Sequence, residues 1–189
     1  NIPKWNIYDT THLMNKYLLE DILLDTKKLS ECIFEKSEGN PLYLTYIIKT
    51  LQSQGITLKI IEFLPQYEFN LNSYYEYLTS LTDNNIVSVV LACLDFSVTR
   101  VELNQLIPFG FNFESNLKDL SPVIVENILR GGIRLYHDSF RRFNIEKFKT
   151  TANINEIYGK IAEWLEKQDF YENAKSYRHL LRYYIKIKE

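Results

Sequence analysis

Glycine and proline are scarce in this chain, 6 and 5 among 189 residues. Few breaks therefore punctuate it, which argues against a many-stranded sheet and favours helices. Cys32 and Cys93 stand alone. With no Cys-x-x-Cys pair and no secretory leader, nothing calls for an oxidising compartment, and a cytoplasmic location is expected. No apolar run reaches the ~18 residues of a membrane span, so no membrane contact is expected. His12, His137 and His179 lie far apart, and none has zinc-site spacing with another His or Cys, so no metal site is expected. The phosphate-cradling Gly-x-x-x-x-Gly-Lys-Ser/Thr loop is missing, as is Gly-x-Ser-x-Gly, and His137 and Ser139 have no evident third triad member. An autonomous catalytic centre is therefore not expected. The chain begins at Asn1 without Met and reads as a piece of a larger protein.

Hydrophobic residues make up 46%, enough to bury a real core and to exclude global disorder. The length suits one ordinary domain or two small ones. A net charge of −2 argues against a nucleic-acid-binding module as a whole. The charge is uneven, however. Residues 1–129 carry 9 Lys/Arg and 16 Asp/Glu, whereas 130–189 carry 13 and 8. The basic end reads as a solvated helix surface.

Periodicity predicts helices over about 10–24, 27–36 and 41–54. In Ser37-Glu38-Gly39-Asn40-Pro41, Gly39 suits a helix end, Asn40 an N-cap and Pro41 the first turn of the next helix. Residues 56–70, with Pro65, read as a connector. Helices follow near 71–81, from Ile86 to Leu94, from Thr99 to Ile107 with a Thr99/Glu102 capping box, and around 114–120. Val123-Ile124-Val125 and Ile133-Arg134-Leu135-Tyr136 flank Gly131-Gly132, a hairpin pattern. Asp138 or Ser139 can cap the next helix. Ile157, Ile161, Trp164 and Leu165 mark another helix, and Ala174, Tyr177, Leu181 and Tyr184 the last. Val89 to Asp95 superficially resembles an apolar strand ending in a Mg²⁺-holding Asp, but the spacing from Ile86 fits a helix better. Tyr74, Tyr75 and Tyr77 read as packing residues rather than base-stacking ones.

Two segments go beyond generic helix. Ser37-Glu38-Gly39-Asn40-Pro41-Leu42-Tyr43-Leu44 resembles the GxP segment in the helical lid of STAND-type ATPases, the NB-ARC and NACHT relatives of AAA+ proteins. Leu135-Tyr136-His137-Asp138-Ser139-Phe140-Arg141-Arg142-Phe143 resembles the His-Asp segment of their winged-helix domain, with Tyr136 where a Met is familiar. Their order matches the family over roughly residues 1–150. The resemblance implies a mainly α fold: a helical lid domain at 1–70, a winged-helix domain at 71–150 (three helices plus a β-hairpin), and at 151–189 the start of C-terminal helical repeats. It implies ATP or ADP with Mg²⁺ as cofactor of the parent protein, held in part by Pro41 at the adenine and His137 at the β-phosphate. The implied partners are an upstream P-loop domain and downstream sensor repeats of the same chain, with oligomerisation on activation. This portion alone would not be an enzyme. It would relay nucleotide state, for instance in antiphage defence.

Two other readings stay open. One is a winged-helix DNA-binding module, although Glu114 and Asp119 beside Lys118 make 114–120 a poor phosphate-facing surface. The other is a helical interaction scaffold, in which Pro41 is an ordinary helix start and His137 a helix-capping or hairpin-end residue.

Overall fold

Helix dominates, as the shortage of Gly and Pro predicts. The computed structural model describes residues 3–18, 26–82, 85–108, 113–127, 129, 131–150, 153–171 and 173–188. Among them are eleven α-helices and one two-stranded antiparallel sheet. Contacts divide the chain into two compact units, residues 1–82 with 118–122, and 83–117 with 123–189.

The first unit contains α1 (Ile7–Leu18), α2 (Thr26–Ser37), α3 (Pro41–Gln54), α4 (Leu58–Phe63) and α5 (Asn72–Leu81). Residues 19–24 of the first predicted helix lie outside the described residues. Helix α4 falls inside the predicted connector. Thr57 caps it by accepting from the Ile60 amide (3.3 Å), and Ile61 is buried. Six residues are too few to establish a helical period, which is why the sequence reads there as loop. α3 is the central helix, burying Tyr43, Leu44, Tyr46, Ile47, Ile48 and Leu51. Against it pack Met14, Leu29, Ile33 and a tyrosine cluster. The Tyr74 ring lies 5.0 Å from Tyr43 and 5.5 Å from Tyr46, centroid to centroid. The tyrosines at 74 and 75 are therefore core residues, as expected.

The second unit contains α6 (Ile86–Cys93), α7 (Arg100–Leu106), most of α8 (Phe113–Asp119), β1 (Ile124–Asn127), β2 (Gly132–Leu135), α9 (Asp138–Phe148), α10 (Ile154–Glu166) and α11 (Ala174–Lys188). The end of α8 from Lys118 and the 3-10 turn (Ser121–Val123) as far as Pro122 belong to the first. β1 and β2 pair with Ile124 opposite Leu135 and Asn127 opposite Gly132. A further antiparallel bridge joins Val98 to Ile133, whose backbone groups exchange two hydrogen bonds (2.6 and 3.0 Å). Gly132 makes that approach possible. Its φ is +108°, and a Cβ there would meet the Val98 carbonyl oxygen at 2.2 Å. The Thr99/Glu102 capping box forms as predicted.

Two expectations change in this unit. α6 buries every residue from Val87 to Cys93 rather than one stripe, as befits a helix apolar all round. It is a helix, so the strand-like reading of Val89–Asp95 fails. α11 is turned relative to its predicted apolar face. Tyr177 and Leu181 are 68% and 72% exposed, while Ser176 and Tyr183 are buried. Hydrogen bonds decide that orientation. Ser176 Oγ donates to the Leu165 carbonyl (2.9 Å) and the Tyr183 hydroxyl to the Cys93 carbonyl (2.9 Å). No helix among the described residues is long and apolar enough to cross a membrane.

Candidate functional site

The two residues singled out by sequence fall in different units, Pro41 in the first and His137 in the second. Pro41 is the first residue of α3, where its missing N–H costs nothing. The Asn40 side chain accepts from the Tyr43 amide (2.9 Å). Glu38 and Gly39 both have positive φ (48° and 71°), which reverses the chain between α2 and α3. Gly39 admits no side chain, because a Cβ would meet the Trp5 carbonyl oxygen at 2.1 Å. The Trp5 amide also donates to the Gly39 carbonyl (2.8 Å). Pro41 is thus half-buried on a turn fixed from both sides.

His137 directly follows the last residues of the hairpin and is itself the N-cap of α9, in the place predicted for Asp138 or Ser139. Its Nδ1 accepts from the Ser139 amide (3.1 Å) and sits 2.7 Å from the Ser139 hydroxyl. An Nδ1 that accepts carries no proton. In the neutral ring the proton is then on Nε2, which is left as a donor. The capping role and a ligand-binding role are therefore compatible, because the cap selects the tautomer that can donate.

Around His137 lies a cleft of about 270 Å³, lined chiefly by Asp95, Phe96, Arg134, Asp138 and Arg141. This is smaller than the ~300–1,000 Å³ of clefts that take a drug-sized ligand. Its lining is balanced in charge: Arg134 and Arg141 stand beside Asp95 and Asp138, and Arg141 is paired with both carboxylates.

Sequence reasoning missed Asp95 and Arg141. Arg141 Nη1 donates to the carbonyls of Ala92 (3.1 Å) and Leu94 (2.6 Å), closing the C-terminal end of α6, and to Asp95 Oδ1 (3.3 Å). Its Nε also lies 3.2 Å from Asp138 Oδ1. The other Asp95 oxygen accepts from Lys186 Nζ on α11 (2.7 Å). The Asp95 amide donates to the Tyr183 hydroxyl (2.9 Å). Asp95 thus joins the cleft to α11. Its partners lie 46 and 91 positions away, so no local pattern could have shown them.

Beside this node, the His179 ring lies 4.8 Å from Phe96, tilted by 40°, and its Nδ1 is buried with no hydrogen-bond partner among the described residues. Burial holds its pKa below the ordinary 6.5, reinforced by Arg182, Arg178 and Lys186, while Asp95 opposes. The unfolded chain therefore binds the proton more readily. The stability this gives is complete above about pH 6.5 and is lost as pH falls toward the folded-state value. The denaturant midpoint of the second unit should fall between pH 7 and pH 5, and His179→Gln should flatten that slope. An equal slope in the variant would assign it to other groups. Burial also pushes the Cys93 thiol up to about 12, so it should resist alkylation at pH 8.

Compared with known proteins, the chain matches no family model, no curated protein and no solved structure.

Proposed function

We propose that this chain is the regulatory part of a STAND-type ATPase, in which residues 1–70 serve as a helical lid, 71–150 as a winged-helix domain and 151–189 as the start of helical repeats. The observation that carries the proposal is the order of elements leading to His137. α6, the Val98 bridge, α7, α8, β1 and β2 follow one another in the order a winged helix would take, and His137 comes two residues after β2. The Gly39–Pro41 turn supports it from the other unit.

In the resting parent protein Pro41 offers its ring to the adenine, and His137 donates from Nε2 to the β-phosphate as a charge-assisted bond. The P-loop and the Mg²⁺-holding acid belong to the upstream domain. Loss of the His137 contact frees the winged helix to swing, which shifts the population toward an open, oligomerising form. Asp95 gives the signal a route onward. Arg141 faces both the cleft and Asp95, and Asp95 holds Lys186 of α11. Cleft occupancy and α11 docking therefore share one carboxylate. Antiphage defence is the context we favour, by analogy with the family.

The DNA-binding reading is weaker. On α8, Glu114 forms an ion pair with Arg100, whose guanidinium also binds Glu126 (2.6 and 2.8 Å). Arg100 is thus already neutralised, which leaves Lys118 as the one basic residue on α8, beside Glu114 and Asp119, for a phosphate backbone.

The test is His137→Ala in the full-length protein carrying this chain. Co-purifying ADP should fall about tenfold or more, the equivalent of one charge-assisted hydrogen bond, and resting activity should rise. Unchanged ADP content with unchanged resting activity would remove the role given to His137.

A further inference from the structure

The outward face of α11 is largely exposed; within this unit Tyr177 touches Phe170 and Tyr184 reaches Glu166. At about 100° per residue, the helix divides into three faces. Ser176, Tyr183 and the half-buried Leu180 and Ile187 face the core. Next around the helix come Tyr177, Leu181, Tyr184 and Ile185, at spacings of four, three and one, with exposures of 68%, 72%, 38% and 51%. Arg178 and Arg182 follow, both exposed, while Lys175 and Lys186 beyond them are spent on Glu102 (2.6 Å) and Asp95 (2.7 Å). α11 contains no acidic residue. The stripe runs along one helical face, with the exposed Lys188 at its C-terminal end, and it is the face that hydrophobic periodicity alone would have buried.

We propose that this face docks an amphipathic helix of a partner protein whose apolar ridge is bordered by acidic residues. The apolar ridge would lie along Tyr177, Leu181, Tyr184 and Ile185, and the acidic edge against Arg178 and Arg182. Tyrosine and arginine are the residue types that dominate protein interfaces. Charge selects the occupant. A second α11 packed antiparallel would set the same flank of each copy side by side, arginines against arginines. An anionic membrane prefers basic residues on both flanks. Here the far flank carries Glu166, which accepts a hydrogen bond from the Tyr184 hydroxyl. The inference is independent of nucleotide binding.

The test uses fluorescence anisotropy on the 189-residue chain. The probes are two labelled peptides of about five helical turns, roughly 18 residues, with the same Leu/Phe ridge bordered by Glu in one and by Lys in the other. The glutamate peptide should bind saturably and about tenfold more tightly than the lysine peptide, with the preference shrinking at high salt. Arg178→Glu with Arg182→Glu should reverse the preference, and Leu181→Ser should weaken binding of both peptides. All three positions are exposed, so the variants should keep the wild-type circular dichroism. Equal binding of the two peptides, a preference the charge reversal leaves unchanged, or no saturable binding would overturn the proposal. So would tighter binding to phosphatidylserine vesicles, or dimerisation that Leu181→Ser abolishes.

Discussion

Gly132→Ala should destabilise the second unit by about 3–5 kcal/mol. Two terms add. A non-glycine residue at φ +108° costs ~1–3 kcal/mol. The new methyl also meets the Val98 carbonyl oxygen at 2.2 Å and the Thr99 amide nitrogen at 2.8 Å. Both are backbone atoms, so no side-chain rotation relieves the clash. The Val98–Ile133 bridge must open, at about 1 kcal/mol for each of its hydrogen bonds. Trp164 lies in this unit and Trp5 in the other, so denaturation followed by fluorescence in a Trp5→Phe background reports on the right one. The Trp164 transition should move to clearly lower denaturant. An unchanged midpoint would mean that Val98 does not pair with Ile133, and the winged-helix order would lose the bridge between α6 and α7.

Tyr74→Ala should destabilise the first unit by a similar ~3–5 kcal/mol, the usual cost of truncating a buried aromatic. Tyr74 is 1% exposed and lies against Tyr43, Tyr46, Tyr75 and Tyr77. Its hydroxyl is 2.9 Å from Thr50 Oγ1. Tyr74→Phe keeps the ring contacts and should cost only ~1 kcal/mol, because the Thr50 hydroxyl still has the Tyr46 carbonyl at 2.9 Å. The same burial gives a pH signature. It raises the Tyr74 phenol above the ordinary 10.0, and Tyr43 likewise. Folding thus favours the protonated phenols. Their contribution is complete below pH 10 and is lost as pH rises through the folded-state values. Trp5 emission should report alkaline unfolding of this unit above about pH 10, less steep in Tyr74→Phe. An alanine variant as stable as the wild type would contradict the tyrosine core.

How much was legible in the sequence depended on how local the cause was. The Asn40–Pro41 start of α3 and the Thr99/Glu102 box each rest on chemistry within a few residues, and each formed where predicted. The hairpin formed too, but Gly132 pairs with Asn127 inside β2 and only Gly131 stays in the turn. α4 was too short to show a period. His137 as a cap belongs only to the scaffold reading, and the structure bears that out; elsewhere Asp138 and Ser139, the better capping types, are preferred. In the structure the backbone at His137 is extended and Asp138 already begins the helix. α11 misled for a different reason. Its apolar periodicity is real, but two hydrogen bonds from Ser176 and Tyr183 fix the inward face, and their acceptors, Leu165 and Cys93, are 11 and 90 positions away. The Asp95 node is hidden by the same distance in sequence. Pro41 and His137 were therefore each visible within a motif, while the network behind His137 needed the fold.

Photolabelling of the full-length protein with 8-azido-ADP tests the nucleotide-switch reading most directly, because the azide reacts beside the adenine. The label should fall on the proteolytic peptide containing Asn40 and Pro41, and excess ADP should suppress it. Labelling confined to other peptides, or none that ADP competes away, would contradict the assignment of the Gly39–Pro41 turn to a nucleotide site.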